Sequence, residues 1–385
     1  MIAYNKNWLD SLLIQKQTAK ALTGGYITAE ENSQVKNTYN ESFFTPNFFI
    51  RIGLFVLTIV IAVFSSGLVT MVVLSISESV TALSIFFGLL AYGALEFMVN
   101  TKNHYKSGVD DALIWMSSGM LFGGISFGLD ASALTMCLIA LVLSIFYMLR
   151  FSNRIMAIVA YIAFMGVLFF TCSQISGIVK AIVPFVIMIA SALVYFLAKY
   201  IAENQAARHY LTCLAMLEIA SLLGFYIGGN YFVVRELSNV MFNLQLQEGA
   251  SIPFAKLFWG FTILTPVLYV AMGLKRKDSI LLRTGLVVIA ASILTIRQYY
   301  YAIDLEIVMA VAGIAFIILA AAVIRYLKTP KYGFTYHPVK DADQSGSLQL
   351  ESLIIAETFS VPDNQQPGTQ YGGGNFGGGG AGSEF

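Results

Sequence analysis

The chain has 385 residues, 57% hydrophobic and 12% charged, where soluble domains carry about 45–50% and about 25%. Two or three soluble domains of roughly 150 residues each are excluded, and a membrane protein is expected. Its 23 Lys and Arg against 22 Asp and Glu leave a net charge of +1, so no overall field draws nucleic acid.

Residues 1–47 are polar and are expected to form a cytoplasmic helical hairpin. Trp8, Leu9, Leu12, Leu13 and Ile14 share one helical face, and Gly24-Gly25 supplies a stop. Thr28 and Glu31 have capping-box spacing and open a second helix reaching about Tyr39. The hairpin reads as a lid along the headgroups or as a docking module for a cytoplasmic protein partner. The Trp8-Leu9 start and Gly25-Tyr26-Ile27-Thr28-Ala29-Glu30-Glu31, ahead of many spans, resemble a family of bacterial polytopic membrane proteins. Members begin with a short helical Gly-x-Ile-Ser/Thr-x-Glu segment. The resemblance implies a bacterial inner membrane and lends no catalytic residues.

A helix crossing a hydrocarbon core needs about 20 apolar residues. Ten such runs are present, near 48–74, 82–99, 109–128, 132–149, 155–172, 181–200, 210–229, 254–274, 280–298 and 305–325. The expected fold is therefore all-α, a transmembrane helical bundle over 48–328 in contact with the lipid bilayer. The first run starts only after a long polar stretch, so no cleavable leader is expected. Ten crossings place 19 of the 23 basic residues on one side and leave Lys180, Arg235, Lys256 and Arg297 on the other. Basic residues favour the cytoplasm, so both termini are expected there.

Charge inside the spans is sparse. Glu218 stands eight residues into a span beginning near Tyr210, about 12 Å deep at about 1.5 Å per residue. An ionisable residue at that depth is costly, which makes Glu218 the candidate proton or substrate site; a hydrogen-bonded glutamate joining helices is the structural alternative. Glu96, Asp110 and Asp111 fall at helix ends beside Lys102, His104 and Lys106 and read as a solvated pattern favoured by a helix dipole. His104, His209 and His337 are scattered, and Cys137, Cys172 and Cys213 lie in apolar runs. Neither a metal, a cofactor nor a disulfide framework is expected. Lys180, Arg235 and Arg297 could face an anion only if packing unites them.

Glycines at four-residue spacing, Gly119 with Gly123, Gly124 with Gly128, and Gly224 with Gly228 beside Gly229, are expected to let helices approach closely. At an offset of 105, Gly119, Gly123 and Gly124 fall on Gly224, Gly228 and Gly229, and His104-Tyr105 on His209-Tyr210. Spans two to five and six to nine are thus expected to be parallel four-helix repeats. Residues 230–252 carry Val233, Leu237, Val240 and Met241 at near-helical spacing, which suggests an interfacial helix or a gate. The tail, 329–385, ends in glycine runs around Tyr371, Phe376 and Phe385 and is expected to be disordered.

Span number, repetition and one deep carboxylate suggest a permease acting on a small molecule or ion. The alternative is a structural or regulatory scaffold working through its cytoplasmic ends. No nucleophile, carboxylate pair or metal constellation points to an enzyme.

Overall fold

The computed structural model describes residues 2–74, 80–174, 179–242 and 252–299, with isolated positions between 310 and 325. The span expected at 305–325, the tail 329–385 and His337 fall largely or wholly outside the described residues.

Two short helices come first, α1 (Lys6–Thr23) and α2 (Ala29–Thr38). Lys20 and Leu22 carbonyls accept from the Gly24 N–H, and Gly25 turns the chain at φ +72°, a conformation that glycine adopts without steric cost. The Thr28–Glu31 capping box is formed, with Glu31 Oε2 accepting from Thr28 N at 2.8 Å and Thr28 Oγ1 from Glu31 N at 3.2 Å.

Long helices follow: α3 (Phe48–Leu74), α4 (Val80–Asn100), α5 (Val109–Gly128), α6 (Ala133–Phe151), α7 (Arg154–Gln174), α8 (Val179–Ala202) and α9 (Leu211–Gly229). The short α10 (Tyr231–Phe242) leads to α11 (Ala255–Arg276) and α12 (Ser279–Tyr299). Among the described residues, eight helices are long and apolar enough to cross a membrane: α3, α4, α6, α7, α8, α9 with the turn before it, α11 and α12. The protein is therefore a multi-pass integral membrane protein. The α5 helix falls short because Asp110, Asp111 and its Gly and Ser residues dilute its hydropathy. Exposed apolar side chains such as Phe64, Met71, Phe127 and Tyr200 meet lipid where a soluble protein would meet water. A helix satisfies most of its backbone groups internally, which lets it cross lipid, although Pro184 in α8 and Pro266 in α11 interrupt the ladder.

Packing proceeds by antiparallel pairs, α4 with α5, α6 with α7, α8 with α9, and α11 with α12. Glycine makes two of these pairs close. A Cβ on Gly88 would stand 3.0 Å from the Leu121 backbone and one on Gly124 3.0 Å from that of Ile85; in the last pair, Gly273 and Gly285 would meet the backbones of Leu282 and Val270 at 2.8 and 3.1 Å. Between pairs, hydroxyls form rungs, Ser117 with Tyr147 at 2.6 Å and Tyr161 with Ser191 at 2.8 Å. Such contacts join helices where hydrophobic driving force is absent.

Candidate functional site

Glu218 lies on α9, the helix packed against α7, α8, α11 and α12, and is only 3% exposed. The helix forms here because Leu, Ala, Met and Ile dominate its sequence, and Ser221 donates back to the Glu218 carbonyl at 2.8 Å. Its carboxylate makes no hydrogen bond or ion pair among the described residues. The field of Glu218 reaches Tyr195 of α8, and one turn further along α9 Tyr269 of α11 donates to the Leu222 carbonyl at 3.0 Å. Toward the face carrying the N-terminal hairpin, Lys199 Nζ bonds Asp278 Oδ2 at 2.7 Å and Tyr195 OH at 3.4 Å. The fields of Lys199 and Asp278 reach Glu218. Asp278 in turn holds the start of α12, accepting from Ile280 N and Leu281 N at 3.1 Å. A buried carboxyl in the field of one ion pair and one phenol can take up or release a proton.

A second polar cluster occupies the α4–α5 turn, and it departs from the solvated pattern expected. Asp110 is 2% exposed. Its Oδ2 accepts from Lys106 N at 2.7 Å and from the Tyr4 hydroxyl at 3.4 Å, and its Oδ1 from Ser107 N and Gly108 N at 2.9 and 3.1 Å. The carboxylate thus caps the turn, while Tyr4, with Phe43, Tyr105 and Phe151 ringed around it, shuts out water. Burial, with Asp110 nearby, raises the Tyr4 hydroxyl well above its usual range. Asp111 pairs with Arg51 and accepts from Asn153 at 3.0 Å. Glu96 is also engaged: Arg150 grips it through two bonds of 2.8 and 2.9 Å, with Tyr92 and Asn100 adding bonds of 2.7 and 2.8 Å.

His104 and His209 both make local contacts. His104 Nδ1 bonds Ser107 Oγ at 2.8 Å and His209 Nε2 lies 3.5 Å from Asp10. Among the described residues no group of three His, Cys, Asp or Glu could hold a metal. Arg235 is turned over the Tyr299 ring at 5.5 Å, and the side chain of Lys180 falls outside the described residues.

No family model matches this sequence, and neither curated proteins nor solved structures show significant similarity to it. Function must be read from the geometry alone.

The glycines divide. A Cβ at Gly224 would overlap the Tyr161 hydroxyl, and at Gly128, Gly228 and Gly229 it would lie 2.8, 3.1 and 3.3 Å from Thr81, Met188 and Phe261. Gly119 and Gly123 instead meet nothing within 4 Å, so that motif makes no close contact with a described helix. Lys199, Asp278 and Tyr195, the groups that surround Glu218, carry no local sequence signal. The 79 residues between Lys199 and Asp278 are bridged only by the fold.

Proposed function

We propose that the protein is a transporter-like or permease-like bundle for a small molecule or ion, in which Glu218 exchanges a proton. The observation that carries this reading is a nearly fully buried carboxylate without a hydrogen bond, on the central helix of the α7–α12 group. A glutamate that served only to join helices would have a partner, because an unmet buried acceptor costs about 1–3 kcal/mol or more when charged. In the same reading the chain crosses ten times in a bacterial inner membrane, with both ends cytoplasmic. The α4–α7 group and the α8, α9, α11 and α12 group are then parallel repeats. What supports the repeat is that each group consists of two antiparallel pairs of consecutive long helices.

The test is proton flow. Proteoliposomes holding a trapped pH dye are given a potassium diffusion potential, and acidification is compared for wild type and Glu218→Gln at matched incorporation and melting temperature. Wild type should acidify faster and the variant should match empty vesicles. Equal rates in the two proteins, or a variant that only melts earlier, would overturn the reading.

One observation favours a scaffold as the second reading. The α2 helix buries no side chain at all, and α1 buries only Leu9, so most of the hairpin surface is free for a cytoplasmic partner. Deleting residues 26–39 would then change the proteins recovered by crosslinking, whereas an unchanged set would exclude it.

A further inference from the structure

Three turns gather on the face that carries the hairpin: 101–108 before α5, Ser152–Asn153 before α7, and 205–210 before α9. Asn153 reaches Asp111 at 3.0 Å, and Ser152 Oγ reaches the His209 carbonyl at 2.7 Å and Cys213 Sγ at 3.8 Å. Three helix N-termini, each with a partial positive charge, therefore lie together.

The two aspartates in this region are already engaged. Asp110 is enclosed by the N–H groups of Lys106, Ser107 and Gly108 and by the hydroxyls of Ser107 and Tyr4. Asp111 is held by Arg51 and Asn153. Glu41, at the rim, lies in the field of Lys16, and its Oε2 is buried without a hydrogen-bond partner. Two cations stand among these acids, Lys106 and Arg154, and the field of Arg154 also reaches Asp111. Neither Lys106 nor Arg154 has an ion pair or a side-chain hydrogen bond among the described residues, though both are half-buried. Lys106 is held at φ +50°, in the left-handed region that a lysine rarely occupies. Its ammonium sits 5.2 Å over the Tyr105 ring. The fields of Lys16, Arg154 and Arg51 bear on Lys106, and those of Lys106 and Arg154 both bear on Cys213.

Like charges crowded at a partly desolvated site repel one another, and the fold holds them there at a cost. An anion removes that cost. We propose that Lys106 and Arg154 form a binding site for a phosphate group, borne either by a soluble phosphate or by a lipid headgroup, at the convergence of α5, α7 and α9. Arg154 supplies a planar fork matched to two phosphate oxygens and Lys106 a compact charge within its field. The adjoining helix N-termini add field of the right sign. Burial, and after it the like charges of Lys16, Arg154 and Arg51, bring the Lys106 ammonium down to about 8. This site stands independently of any role for Glu218.

The test uses the full-length protein in nanodiscs, with melting followed by tryptophan fluorescence. In one arm the discs are phosphatidylcholine alone and inorganic phosphate is titrated against chloride at equal ionic strength. In the other, phosphatidylglycerol is mixed into the discs with no phosphate added. A saturable rise in melting temperature in the first arm identifies a soluble anion, and a rise confined to the second identifies a headgroup. In whichever arm responds, Lys106→Gln and Arg154→Gln should each weaken the response about tenfold or more, from the usual strength of a charge-assisted bond. Lys102→Gln, an exposed lysine in the same turn, should leave it unchanged. Without anion, Lys106→Gln should melt no earlier than wild type, because it relieves repulsion; this separates lost binding from lost folding. The proposal is overturned by no saturable rise in either arm, by equal responses in wild type and both variants, or by a Lys106→Gln protein that melts earlier without anion.

Discussion

Asp110→Asn is nearly isosteric, yet it should be among the more damaging single-atom changes on this face. Asp110 accepts five hydrogen bonds, three on Oδ1 and two on Oδ2. An asparagine keeps one carbonyl oxygen, which can preserve the three bonds from Ser107 and Gly108. Its amide then points two hydrogens at the Lys106 N–H, formerly 2.7 Å from an acceptor. One buried N–H left without a partner costs about 1–3 kcal/mol. Losing the negative charge at the start of α5 adds about 0.3–1 kcal/mol, for a total of about 1–4 kcal/mol. Tyr4→Phe is the calibrating change, since it removes only the long 3.4 Å bond and should cost less than about 1 kcal/mol. Equilibrium unfolding in mixed detergent micelles, read by tryptophan fluorescence, measures both. An Asp110→Asn protein within about 0.5 kcal/mol of wild type, the range of an ordinary surface change, would refute the view that this carboxylate organises the turn.

Further expectations concern packing and charge. Gly224→Ala pushes into the Tyr161 hydroxyl and its bond to Ser191 and should cost about 1–3 kcal/mol; Gly123→Ala, facing open space, should stabilise by about 0.5–1 kcal/mol. Both are read by the same unfolding measurement, and a reversed order would contradict the packing. Arg150→Met strips two bonds from Glu96 at a partly exposed pair, 30% and 20% by side chain, and after discounting for solvent should cost about 1–2 kcal/mol. Lys106 in the fold titrates at about 8, below its ordinary 10.5, so the folded chain holds this proton less tightly than the unfolded one. Its contribution is present above the ordinary value and is lost as pH falls through about 8. Melting temperature in phosphatidylcholine discs without phosphate should thus climb between those values, and Lys106→Gln should flatten the climb.

Periodicity and local chemistry made much of the fold legible. The run read at 109–128 is the helix α5, Val109–Gly128, though it is too polar to count among the candidate spans, and that at 210–229 is α9, Leu211–Gly229, because a long helix announces its length in its run of apolar residues. The stop at Gly24-Gly25 and the cap at Thr28 were equally readable, since each is made by groups a few residues apart. Neighbour relations were not. Gly119–Gly123 and Gly224–Gly228 have one spacing and opposite surroundings, open space against Tyr161 and Met188, for spacing defines a helix face and never who stands opposite it. The depth of Asp110 was hidden for the same reason, its cover being Tyr4, 106 residues away. Glu218 was legible as deep, while the ion pair beside it joins α8 to the start of α12 and has no local signature.

The clasp at the N-terminus also constrains how the chain is made. Ala3 N donates to the Arg150 carbonyl at 2.8 Å and Tyr4 to Asp110, so these residues wait for partners synthesised far later. At about 5–20 residues per second the delay is on the order of ten seconds. Throughout that interval α3 to α6 must fold with their ends unclasped, and Tyr4, Leu9 and Phe43 lack their partners. Closure of this face is therefore a late event in biogenesis, and it reports that the helices from α3 to α6 have been placed in order.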